Sequence, residues 1–143
     1  VHFQTLASRI YAATYIRKFL HYAENTTHPF MLNIRSMPQG TSTDHLEELL
    51  RPLGKYGARR SIQISPAEIG AFAESNMPVS CIVCSYPELM ACPEAKPVIA
   101  EHKQAISSAG KLLVLRGVED ASASEDLKPL GFDGFAVDVA SAE

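Results

Sequence analysis

With 143 residues the chain is long enough for one domain with its own core and short for two. Apolar residues make up 46% and charged residues 20%, as in an ordinary soluble globular protein, and no apolar run nears the ~20 residues that cross a bilayer. The net charge of −3, with basic residues in scattered pairs such as Arg17-Lys18 and Arg59-Arg60, excludes the electrostatic footprint of a nucleic-acid-binding protein.

Apolar positions at Phe3, Leu6, Ile10, Ala13, Ile16 and Leu20 follow a three-four spacing and predict one long amphipathic helix over Phe3–Leu20. His21-Tyr22 and then Asn25-Thr26-Thr27-His28-Pro29 end it, because the residue before a proline leaves the helical region. The run Phe30–Ile34 reads as a first strand, closed by Met37-Pro38-Gln39-Gly40. Ser42, Thr43 or Asp44 can cap a second helix, Glu47 completing a capping box with Asp44. Its stripe is Leu46, Leu49, Leu50 and Leu53, stopped by Pro52, Gly54 and Gly57.

A second strand follows at Ser61–Ser65, and Pro66 opens a short helix over Ala67–Glu74. Val79–Cys84 is a third strand ended by Tyr86-Pro87, after which Pro87, Pro93 and Pro97 punctuate a loop. A helix over Val98–Ser108 stops at Gly110, and Lys111–Leu115 is a fourth strand, buried on both faces, that halts at Arg116-Gly117. Ser124–Leu130 forms the last helix and Gly134–Val139 the fifth strand. Strands alternating with helices predict an α/β fold, a mainly parallel sheet of about five strands with crossover helices.

Charge collects after the fourth strand as Arg116, Glu119 and Asp120, at the end of a parallel strand where ligands commonly bind. Arg116 suits a phosphate through its planar fork and equally suits a solvated strand end. Glu119 and Asp120 are also good first-turn residues for a helix, and Asn33 at a strand end is also a good turn former. Cys81 and Cys84 have the spacing of a redox or zinc pair, yet such pairs sit at helix N-termini and these two lie within an apolar strand. The five histidines show no zinc-binding spacing, and no Gly-rich phosphate loop appears.

The segments HPFMLNIRS, SIQISPAEI, RGVED and LGFD, in that order, resemble the later part of EAL domains, the cyclic di-GMP phosphodiesterase family, over about Phe3 to Asp138. The resemblance implies part of a (β/α) barrel with metals at its strand ends. Asn33 then holds the place of a metal-binding asparagine, Gln63 that of a metal-binding glutamate, and Glu119 that of the second glutamate of E-G-V-E, whose first is Arg116. The paired aspartates of D-D-F-G and the catalytic lysine have no counterpart, so the implied domain is degenerate, shortened and not an enzyme. It needs no cofactor and no metal.

The expectation is therefore one EAL-like domain over residues 1–143, cytoplasmic, acting in bacterial signalling as a regulatory or protein-interaction module. Its opening on Val1 rather than Met, and three cysteines without a signal peptide, suit a piece of a longer reduced protein. Candidate ligand-binding residues are Asn33, Gln63, Arg116 and Glu119. The alternatives are a receptor that binds cyclic di-GMP without cleaving it, and a small redox or metal-binding protein using Cys81 and Cys84. Five strands do not close an eight-stranded barrel, so a homodimer, another domain of the chain or a protein partner is expected to cover the open side.

Overall fold

A computed structural model describes residues 1–28, 30–54, 60–73, 79–119, 122 and 125–137 of the chain. Pro29, Gly57, Arg59, Glu74, Asp120, Ser124 and the strand end beyond Val137 lie outside the described residues. The fold is α/β. Five strands, β1 (Leu32–Ile34), β2 (Arg60–Gln63), β3 (Cys81–Ser85), β4 (Leu112–Val118) and β5 (Gly134–Val137), form one all-parallel sheet in the order β1-β2-β3-β4-β5.

Sequential order in a parallel sheet means that every connection moves one place in the same direction. Right-handed crossovers then put all the connecting helices on one face. The core agrees: Leu46 and Leu50 of α3 (Thr43–Leu50), Ile69 and Phe72 of α4 (Ile69–Ala73), and Ile99 and Ile106 of α6 (Ala95–Ser108) join Ile34, Ile62, Ile82, Leu113 and Leu115 in one buried cluster. Because strand side chains alternate, Asn33, Ser61, Gln63, Cys81, Val83, Leu112, Val114 and Arg116 take the other face.

The N-terminal region departs from the single helix expected over Phe3–Leu20. It is two helices, α1 (Phe3–Ala7) and α2 (Ala12–Asn25), separated at Ser8, whose backbone is extended. The Ser8 hydroxyl accepts from the amides of Ile10 and Tyr11, each at 3.3 Å, so a local side-chain bond replaces helical continuation. Ile10, which the spacing placed on the buried face, is 78% exposed. Before α1, His2 pairs in parallel with Arg35, just beyond β1.

Further differences follow from backbone chemistry. Ser42 caps α3, accepting from the His45 amide at 3.2 Å, which leaves Asp44 in the first turn, where the helix dipole favours it. The segment expected as a Pro-punctuated loop holds α5 (Tyr86–Ala91), and α6 starts at Ala95 rather than Val98. Pro87 and Pro97 fall in first turns, where an amide donor is not needed. A one-turn 3-10 helix, Pro66–Glu68, precedes α4, and another, Lys128–Leu130, stands before β5.

The fourth strand does not stop at Arg116-Gly117. It runs to Val118 through a bulge, with Arg116 paired to Ala136 and Val118 to Val137 while Gly117 adopts a φ of 78°. Nor is it buried on both faces, since Leu113 and Leu115 are buried but Leu112 is 52% exposed. Its register neighbours on that face, Cys81 and Ser61, are buried, so the exposure is local to Leu112.

Candidate functional site

At the carboxyl ends of the strands lies a cleft of about 590 Å³. β1 contributes Arg35 and Ser36 from just past its end, β2 contributes Gln63 with Ile64 and Ser65 just past its end, and β4 contributes Arg116. Glu68 walls one side, Glu88, Ala91 and Cys92 another, and His2 a third. A smaller recess of about 210 Å³ shares Gln63 and Arg116 and adds Ser85, Pro87 and Gly117.

Strand register explains why these residues meet. Gln63 aligns with Val83, and Arg116 aligns with Ser85 two positions further along β3, so both project from the same face. Their backbones stand two strands apart, about 10 Å across, and one repeat of about 7 Å along, within the joint reach of two long side chains. The Oε1 of Gln63 is buried and has no hydrogen-bond partner among the described residues.

Local bonds fix the cleft walls. The Glu68 carboxylate accepts from the Gly40 amide at 2.9 Å, tying the loop after β1 to the turn after β2. The His2 ring and the Ser36 hydroxyl are 2.9 Å apart, with Ser36 in left-handed backbone at φ 59°. Two guanidinium groups and two carboxylates thus line one concave, mixed-polarity surface. Such a surface can orient a polar small molecule, and its two guanidinium groups favour an anionic group on it.

Of the four residues singled out from sequence, Gln63 and Arg116 come together here. Asn33 shares their face but lies nearer the amino-terminal end, its Oδ1 accepting from the Ser61 hydroxyl at 3.0 Å. Glu119 follows Val118 past the bulge and is exposed, away from the cleft lining. Arg35, Glu68, Glu88 and His2 were not singled out, although the alternation Asn33, Ile34, Arg35 already places Arg35 on the face of Asn33.

Cys81 and Cys84 differ in direction. Three positions along a strand, Cys81 and Cys84 point to opposite faces, which neither one disulfide nor one metal ion can join without breaking the strand. Both are buried, and burial, with the Glu88 charge next in weight, pushes the Cys84 thiol up to about 12. Burial also raises Cys81, with Asp133 contributing. Among the described residues no helix is long and apolar enough to cross a membrane, and no three His, Cys, Asp or Glu side chains group for a metal ion.

Comparison of the chain with protein-family models, curated proteins and solved structures gives no match.

Proposed function

We propose that this chain is a non-catalytic regulatory domain, laid out like part of an EAL-type barrel, that recognises rather than hydrolyses what enters its cleft. The observation that carries the reading is the pairing of Gln63 with Arg116 on one cleft floor. The two positions that a hydrolytic metal site would fill with carboxylates hold a neutral amide and a cation. An amide and a cation at those two positions disfavour a divalent metal ion there, and with it the activation of water that such a site supplies. On this reading a neighbouring domain, a protein partner or a second copy meets the helix-free face in bacterial signalling.

Arg35 favours a second reading, in which the cleft is a receptor for a phosphate-bearing ligand of the cyclic di-GMP type. Two arginines lining one cleft supply the charge-assisted, fork-shaped donors that phosphate prefers.

One pair of measurements tests both. Incubation with cyclic di-GMP and magnesium or manganese is expected to give no product above a no-protein control, and clear turnover would end the non-catalytic reading. Calorimetric titration then separates the two: saturable binding in the low micromolar range that Arg116→Ala weakens at least tenfold supports the receptor. No heat with intact protein leaves the interaction module standing.

A further inference from the structure

At the opposite end of the sheet, the amino-terminal end, a charge is buried with no ion-pair partner among the described residues. Arg60, the first residue of β2, is 0% exposed. Its Nη1 donates to the Leu50 carbonyl at the end of α3, at 2.8 Å, while Nε and Nη2 are buried and find no hydrogen-bond partner among the described residues.

A guanidinium stays charged in proteins, so burying it unpaired leaves a desolvation cost that only an anion or further acceptors offset. Burial lowers the pKa of Arg60, the direction expected of a charge removed from water. The Leu50 carbonyl and the negative end of α3 supply partial charge at one nitrogen only. Nε and Nη2 are the adjacent donors with which arginine grips a carboxylate or phosphate side-on.

Arg60 also forms part of the wall of a cavity of about 180 Å³, with Glu47, Leu50, Arg51 and Gly54. A water takes roughly 30 Å³ of liquid volume, so the space exceeds one water several-fold. Arg51 brings a second cation. Glu47 is the one carboxylate among the described lining residues, and it makes no hydrogen bond to Nε or Nη2.

We propose that this cavity is an oxyanion site, in which Arg51, together with a turn of the Arg60 side chain that brings its enclosed Nε and Nη2 to face the space, binds a phosphate or a carboxylate and so couples anion binding to folding. The site is remote from the cleft at the carboxyl ends and independent of the function proposed there. Ligand that binds the folded chain alone raises its melting temperature by mass action.

The test is thermal unfolding of the whole 143-residue chain at constant ionic strength, titrated with inorganic phosphate in one arm and acetate in the other. A saturable rise in Tm with either is expected in the wild type, the arm that responds identifying the oxyanion. The rise should vanish in Arg60→Met, which keeps the volume and should itself be more stable than wild type in chloride. It should persist in Glu47→Gln, which removes a competing negative charge. Should Arg60→Met fail to fold, Arg51→Gln carries the test, expected to raise the half-saturating concentration about tenfold. A Tm indifferent to both anions in the wild type would overturn the proposal, as would a rise that survives both arginine substitutions. Loss of stability in Glu47→Gln without any anion effect would also overturn it, by making Glu47 the countercharge.

Discussion

The Asp133 carboxylate joins three elements: its Oδ2 accepts from the Leu113 amide of β4 at 2.8 Å and from the Lys103 ammonium of α6 at 2.6 Å, just ahead of β5. Desolvation pushes its pKa up, but the hydrogen bonds from Lys103 and Leu113 and the Lys103 charge outweigh it and hold the group below 3.8. A depressed carboxylate contributes stability above its unfolded pKa that is lost as pH falls through its folded pKa. Asp133→Asn should therefore unfold at lower urea than wild type at pH 7, and the two midpoints should converge as the pH falls through and below the ordinary aspartate range. A constant gap down to pH 2.5 would show that the ion pair contributes nothing. The same residue shows what a motif can conceal: LGFD reads as a family signature, yet Gly131 supplies a left-handed turn packed on Lys103, and Asp133 ties that turn to the sheet. Gln63 was singled out through the family resemblance and Arg116 as a charge at a strand end, and both lie in the cleft lining. Arg35, Glu68 and Glu88 were not singled out, since their meeting depends on register between strands and on a helix, α5, that three prolines disguised.

At the level of elements, β4 turns on Gly117. Its φ of 78° lies where L side chains are strained, and it lets the strand carry Arg116 to the cleft and then return Val118 to the core, 1% exposed. Gly117→Ala should cost about 1 kcal/mol in urea denaturation and weaken any ligand of Arg116. Gly54→Ala is the control, with no positive φ and open space around it, and should be neutral or slightly stabilising. Equal losses in the two variants would remove the bulge from the explanation. Strand and helix order was readable from apolar runs alternating with amphipathic stretches, because each element's periodicity is local. The break at Ser8 was not, since the three-four spacing runs on past a hydroxyl that captures two amides. The extension of β4 was hidden for the same reason: Arg116-Gly117 is a stop signal in isolation and a bulge only beside β5.

Across the whole molecule, burial is distributed unevenly. The described core is one cluster reaching from Phe3 to Phe132, with fully enclosed members on every layer, among them Ile34, Ile62, Ile82 and Leu113 of β1 to β4 and Leu46, Ile69 and Ile99 of α3, α4 and α6. By contrast α2, equal in length to α6, has Ala23 as its one buried residue, with Tyr15, Ile16, Phe19 and Leu20 only partly covered. A helix in water is stabilised mainly by packing of its apolar face, and 14 residues are marginal for one that stands alone. Local opening should therefore be cheapest at α2 and dearest in the central strands. Native-state hydrogen exchange should find amides of β2, β3 and α6 exchanging only through global unfolding. Those of α2 should exchange through an opening that barely depends on denaturant, because it exposes little apolar surface. If α2 amides prove as protected as those of β3, with the same denaturant dependence, its half-covered face is covered in solution. The aromatic row Tyr15, Phe19, Phe30 and Tyr22, packed ring to ring along that side, would then be the first surface on which to look for the contact.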